Sequence, residues 1–230
     1  MSRRTRAGAA APRPRRTAQA RERADGERGE ARTRPRWGLR LVRNLALWAA
    51  PVALAWMAAT PYYNLFLAHA GERASRLTER PAVTRVDLSQ RHEAVVSRTD
   101  TRAGGRLPYR LRLTDVHFPL VLLVALFLAV PDVPWRVRLA NLGYALLLAA
   151  LFHVLDVFFW VKFIYATQLG DWSLREHGPF ARNFWGMGKH LLDLPVKLAL
   201  PLLLWGWFYL GHLLGGSGLR RPDEGARAAG

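Results

Sequence analysis

Apolar positions along the chain gather into four runs divided by polar segments. Residues 44–68 carry no charged side chain, residues 116–133 have a strictly apolar middle at Phe118–Val130, residues 139–165 form the longest run, and residues 191–215 hold an apolar stretch from Leu198 to Leu214. A helix crosses the hydrocarbon core of a bilayer with about 20 mostly apolar residues at ~1.5 Å each. The pattern therefore predicts an all-α membrane protein with four transmembrane helices. The second run is also short enough for a buried core segment or a re-entrant piece. Pro51 and Pro61 predict kinks in the first helix, and the length of that run predicts an uncleaved anchor rather than a secretory signal.

Between the first two runs, residues 69–115 change rhythm. Thr84, Val86 and Leu88 alternate with Arg85 and Asp87, and Tyr109, Leu111 and Leu113 alternate with Arg110 and Arg112. Period-two alternation predicts strands. With a third candidate strand around Ala94–Thr99 and a turn at Gly104-Gly105, the segment reads as a small extracytoplasmic β-hairpin or meander, too small to be stable without support. Residues 167–190 place Trp172 and Trp185 among Arg175, Arg182 and Lys189 and read as an interfacial loop. In that reading Trp172, Trp185 and Lys162 are interfacial anchors.

Polar side chains inside the apolar runs are the candidate chemistry. His153 and Asp156 lie within 139–165, three residues apart and so on one helix face, which points both into a bundle interior. Lys197, at the start of the last run, can reach Asp156 by extending its stem. These three form the candidate intramembrane polar network, structural in one reading and a proton-relay or substrate site in another. Two such ligands are too few for zinc, and the sequence calls for no metal or other cofactor.

Charge changes the picture at one end. Residues 1–43 hold fourteen Arg against four acids, in a segment otherwise rich in Ala, Gly and Pro. Such a composition buries no core and predicts a disordered tail. Placed directly before an apolar run, it predicts a cytoplasmic anchor on anionic lipid. Nucleic acid is the poorer partner, because no aromatic interrupts the arginines until Trp37. Basic residues near the run ends put both termini, including the tail 216–230, in the cytoplasm, against the dissent of ten Arg and six acids in Gly71–Asp115. The chain has no cysteine, which excludes disulfides, thiolate nucleophiles and Cys-ligated metals. No G-x-S-x-G, Walker A or H-E-x-x-H pattern occurs.

One span, then a short β-like segment ending in LPYRLRLTDVHFPLVLLVALFLAVP, then three closely spaced spans with LFHVLDVFFWVKF in the third, resembles the small integral membrane proteins associated with exosortases, the bacterial protein-sorting transpeptidases. The resemblance covers Asn44 to Leu214. It implies the bacterial inner membrane, and it implies the companion rather than the peptidase, since an exosortase uses a membrane-embedded cysteine and this chain has none. The expected function is thus a non-enzymatic accessory or scaffold subunit, bound to a membrane-protein partner or to copies of itself. Two alternatives stand beside it: a small oligomeric transporter or membrane enzyme working through His153 and Asp156, and a membrane-anchored regulator acting through the basic tail.

Overall fold

The computed structural model describes the backbone of residues 16–89, 93–100 and 106–214, and the side chains of 37–89, 93–100 and 109–211. Residues 1–15 and 216–230 of the expected tails, and the expected Gly104-Gly105 turn, lie outside the described residues. The chain divides into two compact units, 1–43 and 44–230. In the first, the backbone is helical from Arg16, where α1 (Arg16–Leu77) begins, although the composition predicts disorder there. Ala18, Gln19, Ala20, Arg21 and Glu22 are all strong helix formers, and a lack of core residues does not oppose local helix formation.

Among the described residues, three helical stretches are long and apolar enough to cross a membrane: Trp37–Leu77 in α1, Trp135–Thr167, which is α4, and Pro179–Gly211. The remaining apolar run is the shorter stretch Leu113–Ala129. It is split into α2 (Leu113–His117) and α3 (Leu120–Ala129) at Pro119, whose nitrogen has no hydrogen to donate. The last carbonyls of α3 would be orphans, as at any helix end. Here Leu128 O accepts from the Arg138 guanidinium at 3.0 Å, and Ala129 O accepts from Asn44 Nδ2 at 3.1 Å.

Strands β1 (Thr84–Leu88), β2 (Glu93–Arg98) and β3 (Arg106–Arg112) form an antiparallel meander in the order β1-β2-β3. Val86 lies opposite Val96, and Ala94 opposite Leu111. Their buried face packs on Leu67 and Ala68 of α1 and on Val157, Val161, Ile164 and Tyr165 of α4. The helix ends thus provide the apolar surface that three short strands lack. Side chains of α1 also cover the free edge of β1: Val86 N–H donates to Glu72 at 2.9 Å, and Arg76 Nε donates to Thr84 O at 2.7 Å.

After α5 (Asp171–Glu176), α6 (Pro179–Leu191) starts at Pro179, a position that needs no N–H, and runs through a π-turn at Leu192–Val196 into α7 (Lys197–Leu214). The segment expected as an interfacial loop is therefore mostly helical. Pro195 sits inside the π-turn, whose wider winding absorbs its missing donor. Helix α6 lies close against α4: a Cβ at Gly188 would stand 2.3 Å from the Phe159 ring. Gly71 makes the same concession between α1 and α4, where a Cβ would stand 2.4 Å from Val157 Cγ1.

Candidate functional site

Two groups of buried polar side chains stand out, one under the sheet and one farther back along α4. Under the sheet, Glu79 follows the C-terminus of α1 and turns its carboxylate toward the start of β1. It accepts the backbone N–H of Thr84 at 3.0 Å and of Val83 at 3.3 Å, the Thr84 hydroxyl at 2.5 Å, and Lys162 Nζ at 3.1 Å. Since the single Thr84 hydroxyl proton goes to Glu79, Tyr165 must donate its own to Thr84 Oγ1, 2.7 Å away. Burial pushes the Glu79 carboxyl up, but the Thr84 hydrogen bond and the Lys162 ammonium outweigh it and hold Glu79 below its ordinary range. Beside this latch, Arg98 pairs with Asp100 at 2.7 Å and spreads over the rings of Trp172 and Tyr165, at 4.3 and 4.7 Å. Its hydrogen bond holds the Asp100 carboxyl below the usual range.

The second group joins α1, α2, α4 and the α6–α7 helix. The Trp56 indole donates to His117 Nδ1 at 3.1 Å, and His117 Nε2 lies 2.7 Å from Asn64 Oδ1. An indole N–H only donates, so Nδ1 is an acceptor and His117 is the neutral Nε2–H tautomer. Its ring stands edge-on to Tyr63 at 5.0 Å, and the Tyr63 hydroxyl meets His153 Nδ1 at 2.9 Å. Asp156, one turn after His153, is 0% exposed, and neither of its oxygens has a hydrogen-bond partner among the described residues. Asp193, Lys189 and Lys197 lie within its electrostatic range.

The predicted residues are thus brought together in part. His153 and Asp156 do face the interior. Lys197 does not pair with Asp156 as expected; its Nζ is 2.5 Å from Asp193, which also holds Lys189 at 3.2 Å. The cause is local, because Asp193 lies four residues from each lysine and captures both along one helix face. Lys162, expected as an interfacial anchor, is 12% exposed and ion-paired to Glu79. Trp172 and Trp185 are half-buried, the first under Arg98 and the second edge-on to Phe158 and Phe159. Sequence reasoning missed Trp56, Asn64, His117 and Glu79. Asking which polar side chains lie inside the apolar runs would have revealed Asn64 and His117. Among the described residues, no group of three or more His, Asp or Glu side chains could hold a metal.

Comparison with known proteins adds no relative: no family model, no curated protein and no solved structure matches the chain.

Proposed function

We propose that this chain is a non-enzymatic scaffold or accessory subunit of a bacterial inner-membrane assembly, with a sheet outside the membrane offered to a partner. The observation that carries this reading is the latch of Glu79, Lys162, Thr84 and Tyr165, which ties the sheet to the ends of two apolar helices. A sheet fixed in this way presents its other face at a constant distance and angle. That face carries Arg85, Asp87, Glu93, Arg110 and Arg112, linked by contacts of 3.2 to 3.6 Å from Arg85 to Asp87 and from Arg110 and Arg112 to Glu93. Pre-organised charges of mixed sign set the orientation and selectivity of a partner more than its raw affinity.

Four crossings with both termini in the cytoplasm suit this reading. In support, side chains of α1 tie α2–α3 at two separated points, through the Asn64–His117 and Asn44–Ala129 hydrogen bonds. A protein-sorting system of the exosortase kind is the assembly that the family resemblance implies. Purification of the tagged protein from its native membrane in mild detergent tests the reading. A stoichiometric membrane partner, lost in an Arg85→Glu, Arg112→Glu variant that keeps its abundance, is the expected result. A homo-oligomer that comes out alone overturns the subunit reading.

A further inference from the structure

We infer that Asp156 is a proton-binding site, and that loss of its proton transfers Lys197 from Asp193 to Asp156. The inference is independent of the scaffold reading and stands on the unequal sharing of two lysines between two carboxylates. Asp193 holds both, Lys197 at 2.5 Å and Lys189 at 3.2 Å. Asp156, fully buried and within electrostatic reach of the same lysines, has no hydrogen-bond partner on either oxygen among the described residues.

A bare carboxylate in an apolar bundle is the most costly form that this side chain can take, and a bound proton removes the charge. Mid-helix position leaves the backbone no donor to offer, since the N–H groups around Asp156 are used within α4. His153 cannot supply a donor through Nδ1, which is taken by Tyr63, and His117 is taken on both ring nitrogens by Trp56 and Asn64. Among the described residues, the charged groups that act on Asp156 come from the α6–α7 helix: Lys189, Asp193 and Lys197.

Ionised Asp156 completes a neutral set with those three, two positive and two negative. Proton-loaded Asp156 leaves a single excess positive charge spread over Asp193 and its lysines. In the exchange the O–H bond of Asp156 breaks and the proton leaves to water on the Asp193 side, where that carboxylate is 23% exposed. Lys197 stays an ammonium throughout and changes carboxylates. Lys189 is the poorer candidate to move, because its ammonium also rests over the Trp160 ring at 4.5 Å. Lys197 directly follows the π-turn and Pro195, an irregularity of the sort that accumulates at functional positions.

Two measurements on the full chain in mild detergent test this. Dicyclohexylcarbodiimide attaches covalently to protonated carboxyl groups in apolar surroundings, and peptide mass spectrometry locates it. The expected result is labelling of Asp156 that declines as pH rises. Replacing Lys197→Met should move the decline upward by about one pH unit or more, because the ionised form loses its cation. Asp193→Asn should lower labelling at neutral pH by about tenfold or more, because it frees the lysines for Asp156. Infrared difference spectra need no folded variant: the wild-type protein should show the carbonyl stretch of a protonated acid that vanishes over the same pH range. A spectrum without that band at every pH overturns the proton site, whether or not the carbodiimide reaches it. A decline indifferent to both Lys197→Met and Asp193→Asn overturns the lysine transfer.

Discussion

Glu79 and Asp156 are both carboxylates removed from water, yet one is surrounded by donors and the other has none. Glu79 stands just past the C-terminus of α1, where the entering strand still has backbone N–H groups to give, and Val83 and Thr84 give theirs. Asp156 stands mid-helix, eleven residues before the end of α4, where each nearby N–H is already spent on a carbonyl four residues back. A buried charge at a chain reversal is satisfied by the backbone; within a long helix it depends on side chains from neighbouring helices. The sheet-side pair is therefore built to hold, and the mid-helix carboxylate to change.

The largest effect expected from this contrast is on the sheet side. Lys162→Met leaves Glu79 buried without its cation, and breaking a buried pair in this way costs about 3–5 kcal/mol. Thermal unfolding in detergent measures it. Adding Glu79→Gln to that variant should restore much of the loss, because no uncompensated charge remains. If the single variant melts like the wild type, the latch does not hold the sheet.

Next in size are the two glycines that set the helix distances around each group. Gly71→Ala forces a Cβ against Val157 under the latch, and Gly188→Ala forces one against Phe159 beside Lys189. Overpacking of this kind costs about 1–3 kcal/mol. The contrast is sharpened by where each is felt. Gly71→Ala should loosen hydrogen-exchange protection in β1, whereas Gly188→Ala should leave β1 intact and change the labelling of Asp156.

Acid should distinguish the two carboxylates without any substitution. The Glu79 pKa is held below its ordinary 4.5, so the stability it contributes is fully present above that value and is lost as pH falls through the depressed one. Exchange of the Val83 and Thr84 amides, corrected for intrinsic rate, should thus stay protected down to the ordinary carboxylate range and rise only below it. Protection lost at neutral pH would mean that Glu79 is not charged in the folded protein.

Part of this arrangement was legible in the residues. The alternation at Thr84–Leu88 and Tyr109–Leu113 marked two strands, and the three-residue spacing of His153 and Asp156 placed both inside. Lys197 went to the wrong carboxylate because spacing along one helix favours Asp193, four residues away, over a group on another helix. Glu79 and Lys162 were invisible as a pair: they are 83 residues apart, and only the approach of the ends of α1 and α4 joins them. Trp56, Tyr63 and Asn64 lie at positions i, i+7 and i+8 on one face of α1, but that run was read by its lack of charge, which hides hydrogen-bonding side chains.

The smallest effect on stability is expected where the burial is most complete. Asp156→Asn keeps the size and shape of a protonated aspartic acid and removes the ability to ionise. If Asp156 carries a proton in the folded protein at rest, the substitution changes little, by less than about 1 kcal/mol, since it exchanges one neutral buried group for another. If Asp156 were instead an ionised member of a structural network, the same substitution would leave the Asp193 lysines without a counter-charge they rely on. The melt would then fall by about 3 kcal/mol or more, comparable to the loss of Lys162. Melting curves of Asp156→Asn and Lys162→Met at one neutral pH, in one detergent, set the two carboxylates side by side. A near-zero change for the first and a large one for the second keeps them apart; equal losses would make both of them parts of the same static frame.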